Sequence, residues 1–176
     1  FFAKNYLIAT GGKSYPATGS TGEGYNWLAA LGHKVVEPRP ALAPIIVKNK
    51  FIKDLEGVSL VGVKFSWQKD ERTIDSRTGE AVFTADGLSG PAILAASGLV
   101  ARSLPNVKLS IDFFPDEDLP KLDLRLRNIF SANSNSQIKN ALTGFLPPKL
   151  IPVLLKLVKI APETRVNQIV KTERQA

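Results

Sequence analysis

The hydrophobic positions of the chain follow two periods, and the change of period divides the sequence into three parts. The N-terminal part has an apolar run, Tyr6–Ala9, and then apolar positions at helical spacing up to Leu31. Residues 44–113 contain short β-branched and aromatic runs separated by turn residues. Residues 116–176 have aliphatic side chains three and four positions apart, as in amphipathic helices. The pattern therefore predicts an α+β protein.

The first predicted domain, residues 1–40, has the pattern of strand, glycine loop, helix and strand. Tyr6–Ala9 is apolar throughout, which is typical of a strand that is covered on both faces. Gly32 follows the helical positions as a stop signal, and Lys34–Val36 is predicted to form a second short strand. Three prolines in "EPRPALAP" then favour extended backbone, so we place the first boundary after residue 40.

The second predicted domain, residues 41–115, is β-rich. Apolar residues of "VSLVGVKFSW" alternate from Val61 to Trp67, which predicts a half-buried strand. "QKDERTIDSRTGE" is predicted to be a polar hairpin region, with "AVFT" and "VKLSIDF" as further strands. Pro91 is predicted to open the one helix of this part. Several short strands with turn signals predict a small barrel-like sheet or a sandwich.

The third predicted domain, residues 116–176, is a small helical bundle. Asp116, Asp118 and Pro120 are expected to open its first helix, and a second helix is expected to end at Gly144. "PPKLIPVLLKLV" is predicted to begin a third helix, and Pro162 a fourth. Short helices joined by proline and glycine are expected to pack against one another.

Composition excludes several classes of function. The chain has no cysteine, which excludes a disulfide scaffold, a Cys-ligated metal and a thiol nucleophile. The absence of cysteine fits a reducing compartment, and we expect a cytoplasmic protein. No apolar run approaches the roughly 18 residues needed to span a bilayer, so no membrane association is expected. Two carboxylate pairs, Asp54 with Glu56 and Asp70 with Glu71, lack a matching histidine cluster, so we predict no metal site.

The net charge of +7 has two interpretations. A basic chain can bind nucleic acid or another polyanion. The 23 basic residues are nevertheless spread along the whole sequence without a run of like charges. We therefore do not expect nucleic acid as a partner, and we keep a basic helical or β binding module for nucleic acid or a protein partner as the alternative function.

The segment "ATGGKSYPATGSTGEGY" places five glycines in seventeen residues. It does not match a P-loop, because Leu7 occupies the position of the first required glycine. It does not match G-x-G-x-x-G either, because Trp27 follows Gly22 and Gly24 at the third position. Two interpretations remain, a plain glycine-rich turn or a loop whose N–H groups approach a pyrophosphate or flavin edge. Ser20 and Thr21 are predicted to cap the following helix.

No residue is assigned to catalysis. Ser89 in "GLSGP" does not fit the G-x-S-x-G nucleophile motif, and we predict that it caps the helix that follows. His33 is the only histidine, and we interpret it as a turn residue because no positioned partner is visible. Asp86 is interpreted as a turn residue, with a substrate-binding carboxylate as the alternative.

Three stretches, "LIATGGKSYPATGSTGEGY", "PRPALAP" and "GEAVFTADGLSGPAIL", resemble in this order the bacterial FAD-dependent flavoproteins of the YhiN/BaiN type. This family is also described as NAD(P)/FAD-dependent oxidoreductases or as aminoacetone-oxidase-like, and "LTGFLPPKLIPVLL" is similar to its helical sequence. The resemblance implies a Rossmann-type FAD domain whose long insertion holds a β-barrel-like part and a helical part. The chain would be an internal segment, mostly the insertion with a sliver of the FAD domain.

The resemblance also implies two groups of site residues. The residues expected on the flavin side are Gly11, Gly12, Ser14, Thr18, Gly19, Ser20, Gly22 and Gly24. The residues expected in a loop on the substrate side are Thr84, Asp86, Gly87, Ser89 and Gly90.

The function implied by the resemblance is that of an FAD-dependent oxidoreductase, with the insertion covering the substrate side of the flavin. The family description is compatible with NAD(P)H as the electron donor, which the sequence itself does not identify, and a small molecule is the expected substrate. The first G-x-G-x-x-G of the family would precede Phe1, and the segment that closes the FAD domain would follow Ala176. We therefore expect the remainder of the FAD domain as the main partner, and no activity or retained flavin in this segment alone.

Overall fold

Two units, Phe1–Arg39 and Pro40–Ala176, make up the chain in a computed structural model that describes residues 2–103 and 105–175. The first unit contains a 3₁₀ turn, Pro16–Thr18, and helix α1, Glu23–Ala30. The strands predicted at residues 6–9 and 34–36 are not formed, and that prediction is wrong. A strand forms by pairing with a second strand, and the sheet within residues 2–103 and 105–175 includes neither segment.

The second unit contains one five-stranded antiparallel sheet in the order β1-β4-β3-β2-β5. The strands are β1 Ile45–Ile46, β2 Ser59–Lys69, β3 Arg72–Phe83, β4 Gly87–Ser89 and β5 Lys108–Asp112. A 3₁₀ helix, Lys50–Leu55, precedes β2. The predicted sheet is confirmed as a curled, open half-barrel that packs with helices in a mixed α+β fold.

Strand β2 contains a bulge that changes which of its residues face the core. The register shifts between Leu60 and Val63, where Gly62 adopts a left-handed φ of 68°. Leu60 is therefore buried, whereas Val61 is 73% exposed. The predicted alternation is wrong at Val61 and is confirmed from Val63 to Trp67.

Strand β3 accounts for most of the polar stretch that was predicted as a hairpin region. Only Asp70 and Glu71 form the turn, with φ values of 48° and 63°, as in the two-residue loops that join the strands of a β-hairpin. The following residues, from Arg72 onward, pair with β2. Polar residues are compatible with a strand here because one face of an antiparallel sheet can contact solvent.

Helix α2, Pro91–Ser103, covers the buried face of the sheet and confirms the helix predicted to open at Pro91. Ile93 and Ala96 of this helix are fully buried and belong to the same core as Phe65 and Trp67 of β2. This sheet core also includes residues of the 3₁₀ helix Lys50–Leu55.

The C-terminal part is helical, with the helices α3 Leu119–Ala132, α4 Ile138–Ala141, α5 Leu150–Leu157 and α6 Lys171–Arg174. The Asp118 carboxylate accepts a hydrogen bond from the Lys121 N–H at 2.9 Å, which confirms the predicted start of α3. None of these helices, nor α1 or α2, could cross a bilayer in the part of the chain that the structure describes.

The prediction of a helix that starts at Pro162 is wrong. The Ile138 N–H donates to the Thr164 carbonyl at 2.8 Å, and the Val166 N–H donates to the Ser136 carbonyl at 3.0 Å. These bonds hold the segment alongside the residues before α4 and leave it unavailable for a helix. A 3₁₀ turn, Val166–Gln168, and the short α6 follow instead.

Helix α5 lies between two hydrophobic cores. Leu150 and Val153 belong to the sheet core. Ile151 and Leu155 belong to a second core, which α5 forms with α4 and the segment around Val166. Because apolar side chains occupy both of these faces, α5 connects the half-barrel to the helical part.

Helix α3 has no fully buried residue, and it is attached both by partly buried Leu126 and Phe130, which pack against the second core, and by charged side chains. The Arg125 guanidinium lies 5.0 Å from the Phe114 ring centroid and 4.7 Å from that of Phe145. The Asp123 carboxylate accepts hydrogen bonds from Arg174 of α6 at 2.8 Å and from Arg127 at 2.5 Å. The hydrogen bond from Arg174 is the main cause that lowers the pKa of Asp123, Arg127 adds to it, and burial opposes it.

The attachment of α6 to α3 is expected to depend on pH. Because the folded-state pKa of Asp123 is lowered, its stabilising effect is present above the unfolded-state pKa of about 4 and is lost as the pH falls through the lowered value. We expect the thermal unfolding temperature to fall through this range less steeply in Asp123→Asn than in the wild type. Asp116→Asn is the matched control, because Asp116 is exposed and has no partner within residues 2–103 and 105–175. Identical pH profiles for wild type and Asp123→Asn would contradict the role of this carboxylate.

Pairing of β1 with β4 is expected to require glycine at position 87. A Cβ on Gly87 would overlap the carbonyl oxygen of Ile45 in the paired strand. We expect Gly87→Ala to destabilise the protein by about 2–3 kcal/mol. We also expect it to remove the exchange protection of the Val47 amide, which donates to the Asp86 carbonyl at 2.9 Å.

The control for this prediction is Gly57→Ala. Unlike Gly87, Gly57 has a positive φ, 81°, and nothing described lies within 4 Å of its Cβ position. The Gly57→Ala protein should lose about 1 kcal/mol of unfolding free energy through backbone strain. It should keep the exchange protection of the Val47 amide. A Gly87→Ala protein with wild-type protection of Val47 would contradict the close approach.

Candidate functional site

The glycine-rich segment of the first unit folds back on itself, so that its two ends meet. The Cβ position of Gly11 lies 3.4 Å from the Ser20 hydroxyl oxygen, and that of Gly12 lies 3.5 Å from the Tyr25 hydroxyl oxygen. A Cβ on Gly24 would overlap the Thr10 hydroxyl oxygen. The close approach therefore brings predicted flavin-side residues from both ends of the loop together.

The middle of the loop is a compact turn. Ser14 precedes the 3₁₀ turn Pro16–Thr18, and the Thr18 hydroxyl donates to the Tyr15 carbonyl at 2.9 Å. Gly19 ends this turn with a φ of 94°. Nothing described lies within 4 Å of the Cβ position of Gly19, so the backbone is accessible there.

Helix α1 begins without a side-chain cap. Its N-cap is Gly22, with a φ of 85°, so the predicted capping by Ser20 and Thr21 is wrong. Glycine adopts the left-handed backbone at Gly22 without strain, and as the N-cap residue it offers no side chain to the first turn. The N–H groups at the start of α1 are therefore available to a ligand, with Glu23 as the acidic residue of the first turn.

The predicted substrate-side loop links β3, β4 and α2. Thr84 and Gly87 exchange backbone hydrogen bonds at 2.9 and 3.4 Å, which makes a tight turn around residues 85 and 86. The Asp86 side chain is exposed, whereas Gly87 is buried against β1. Asp86 is the one charged residue of these five, and its side chain is accessible to a ligand.

Ser89 does not cap helix α2, and that prediction is wrong. Ser89 lies in β4 and pairs with Val82, and Gly90 is the residue that immediately precedes the helix. The Gly90 carbonyl accepts from the Leu94 N–H at 2.9 Å. A Cβ on Gly90 would lie 2.8 Å from Ala81 Cα, which explains why a glycine separates Ser89 from Pro91.

The remaining candidates are exposed or lie in turns. His33 is exposed after α1, and its backbone N–H donates to the Leu28 carbonyl at 3.0 Å. Within residues 2–103 and 105–175, no three His, Asp or Glu side chains lie together as metal ligands would. Asp70 and Glu71 are turn residues, and Asp54 and Glu56 are exposed.

Two adjoining depressions of the second unit form a surface that the sequence analysis missed. The larger, of about 670 Å³, lies between the 3₁₀ helix Lys50–Leu55 and α5. The smaller, of about 300 Å³, lies beside β1 and Asp86 and shares Lys50 with the first. We call their six lysines the lysine surface: Lys48, Lys50, Lys53, Lys149, Lys156 and Lys159.

The lysine surface is built from two segments about a hundred residues apart. Buried Ile52 and Leu55 anchor the 3₁₀ helix in the sheet core, and Leu150 and Val153 anchor α5 in the same core. The Lys149 ammonium donates to the Glu56 carbonyl at 2.9 Å and ties the two segments together. The sequence signal was the spacing of Lys149 and Lys156, seven positions apart and so near one face of α5, with Lys159 just after the end of that helix.

Comparison with known proteins identifies the second unit. Residues 39–176 match a family described as HI0933-like protein barrel and H2TH domain. The chain is 31% identical over 170 residues to the ribosomal RNA dihydrouridine synthase of Escherichia coli (strain K12), covering 97% of this chain and 40% of that protein. It is 29% identical over 163 residues to the 3-dehydro-bile acid delta(4,6)-reductase of Clostridium scindens, covering 91% and 40%.

A third relative is the ribosomal RNA dihydrouridine synthase of Haemophilus influenzae, which is 28% identical over 171 residues, covering 93% of this chain and 39% of that protein. The chain therefore spans about two-fifths of the length of these curated relatives. The half-barrel and the helices after it agree with the two parts in the family description. The chain belongs to the HI0933-like protein barrel and H2TH domain family.

Proposed function

We propose that this chain is part of an FAD-dependent reductase that saturates a carbon–carbon double bond. Family membership and the names of the relatives support the proposal. Dihydrouridine is uridine with a saturated pyrimidine double bond, and a delta(4,6)-reductase acts on ring double bonds, so the names share one type of reaction. In this proposal Phe1–Arg39 is a sliver of a Rossmann-type FAD domain, and the half-barrel with its helices is the insertion on the substrate side.

The residues of the glycine loop fit a flavin nucleotide. The uncapped start of α1 presents backbone N–H groups, which suit a phosphate or an electron-rich flavin edge. Gly12 and Gly19 have no side chain that would keep a planar ring away from the backbone. When bound, the flavin supplies the hydride for the reduction, with NAD(P)H as the proposed electron donor.

The chain's own residues are proposed to bind and orient the flavin and the substrate. The flavin-side residues are Gly11, Gly12, Ser14, Thr18, Gly19, Ser20, Gly22 and Gly24, of which the serine and threonine hydroxyls can donate or accept. The turn around Asp86 is proposed to contact the substrate and to help exclude water. The single observation that carries the proposal is the glycine loop, whose closed backbone ends at an uncapped helix.

Flavin retention by the intact protein tests the proposal. Gly12 tolerates a Cβ, since its nearest described neighbour lies 3.5 Å away, and its φ is not positive. We therefore expect Gly12→Val to fold, while its branched side chain blocks approach to the loop. The bound flavin per protein, read from its visible absorbance, should fall at least about tenfold, which corresponds to a loss of about 1.4 kcal/mol of binding free energy.

Gly22→Val should also lose flavin, but it adds backbone strain at a φ of 85°. The control for strain is Gly144→Val, at a φ of 84° in the second unit with nothing described near its Cβ position. It should be destabilised yet retain flavin. If Gly12→Val purifies fully loaded with flavin, the loop is a plain turn and the proposed cofactor site is wrong.

A further inference from the structure

We propose that the lysine surface binds the phosphate backbone of an RNA substrate. The inference deepens the proposed function and rests on it for the choice of RNA. Two of the three relatives described above are named as enzymes of ribosomal RNA. The location of the binding surface comes from the charge distribution of this chain.

The lysine surface contains almost all of the excess positive charge of its unit. Residues 40–176 have 19 basic and 14 acidic side chains. The two depressions contain six of the lysines but only two acidic residues, Asp54 and Asp86. The remainder of the unit has 13 basic and 12 acidic residues and is nearly neutral. The positive charge is therefore concentrated at one place, as in proteins that bind a polyanion.

These lysines are available to an external anion. All six are exposed, and none forms an ion pair with any residue in the part of the chain that the structure describes. By contrast, several basic residues of the helical part, among them Arg125, Arg127 and Lys139, are paired with carboxylates. Except at Lys149, whose ammonium is bonded to the Glu56 carbonyl, a phosphate that reached the lysine surface would not have to displace a carboxylate or carbonyl partner among the described residues.

The lining of the larger depression favours RNA with unpaired bases. It combines apolar groups of Phe51, Pro152 and Leu157 with four lysines. Leu157 is 55% exposed and Phe51 is partly exposed. A lining that combines apolar groups and lysines can accept an unstacked base while the lysines contact the flanking phosphates. In a uniform duplex the bases are stacked, so only its phosphates would be contacted.

The surface is held rigidly. Its two segments are anchored in the sheet core, and α5 is also packed into the second core. The ammonium of Lys149 is already bonded to the Glu56 carbonyl, so we assign it mainly to positioning and leave it unchanged in the test. Lys50, Lys156 and Lys159 line the same depression and are the residues to change.

The test compares two triple variants of the intact protein that lose the same charge. Lys50→Gln/Lys156→Gln/Lys159→Gln alters the surface, and Lys64→Gln/Lys108→Gln/Lys121→Gln alters exposed lysines elsewhere. Binding of a fluorescent RNA hairpin with a uridine-rich loop is measured by anisotropy as a function of salt. For the first variant we expect about 100-fold weaker binding near 0.1 M salt, and a slope of log K against log[salt] that is shallower by about 2. The second variant should bind within about threefold of the wild type.

A second pair of variants changes the affinity in the opposite direction, which misfolding would not do. Asp54 lines the larger depression and repels phosphate, so we expect Asp54→Asn to bind the hairpin about three- to fivefold more tightly. Asp116→Asn, at an exposed carboxylate of the helical part, should leave the affinity unchanged. Equal losses in both triple variants, or unchanged affinity in the first, would overturn the proposal. Binding to anionic lipid vesicles with none to RNA would also overturn it.

This outcome is separable from that of the proposed function. The binding assay needs neither flavin nor an electron donor. If the intact protein binds RNA through the lysine surface but Gly12→Val retains all its flavin, the cofactor proposal fails and the RNA surface stands. If flavin is lost in Gly12→Val but the lysine variants bind RNA normally, only the RNA surface is wrong.

Discussion

The burial of helix α5 on two sides is the interaction on which the second unit depends. Leu150 and Val153 complete the core under the half-barrel, while Ile151 and Leu155 complete the core of the helical part. Each buried aliphatic side chain contributes about 1.5–3 kcal/mol through removal from water. Because one short helix supplies residues to both cores, displacement of α5 would expose apolar surface in both of them.

The same packing positions the proposed RNA surface. Exposed residues of α5 and of the segment after it include Lys156 and Lys159, and the two-sided burial leaves the helix little freedom to rotate. The 3₁₀ helix Lys50–Leu55 lies beside it because Ile52 and Leu55 are buried in the shared core. The lysines therefore converge as a consequence of core packing. The glycine loop is a separate local structure of the first unit, and it is determined by close contacts between its own ends.

The sequence predicted those elements whose signals are local. Alternation identified β2, Pro91 marked the start of α2, and Asp118 marked the start of α3. Features that depend on a partner were not predictable in this way. The apolar run at residues 6–9 did not indicate whether a neighbouring strand exists, and Ser89 was assigned to a helix cap although it pairs in the sheet. Counting charges along the chain likewise missed the lysine surface, because its two segments meet only after folding.

Whether the half-barrel and the helical part unfold together is the most direct test of the role of α5. The boundary predicted between residues 115 and 116 stays a prediction, and native-state hydrogen exchange on this chain decides it. We predict that the amides of Phe65 in β2, Leu155 in α5 and Ile138 in α4 exchange through one opening, with equal free energies and equal denaturant dependence. A free energy of opening for the Ile138 amide that is at least about 2 kcal/mol lower than that for Phe65 would contradict a shared unit. The helical part would then unfold while the half-barrel stays intact.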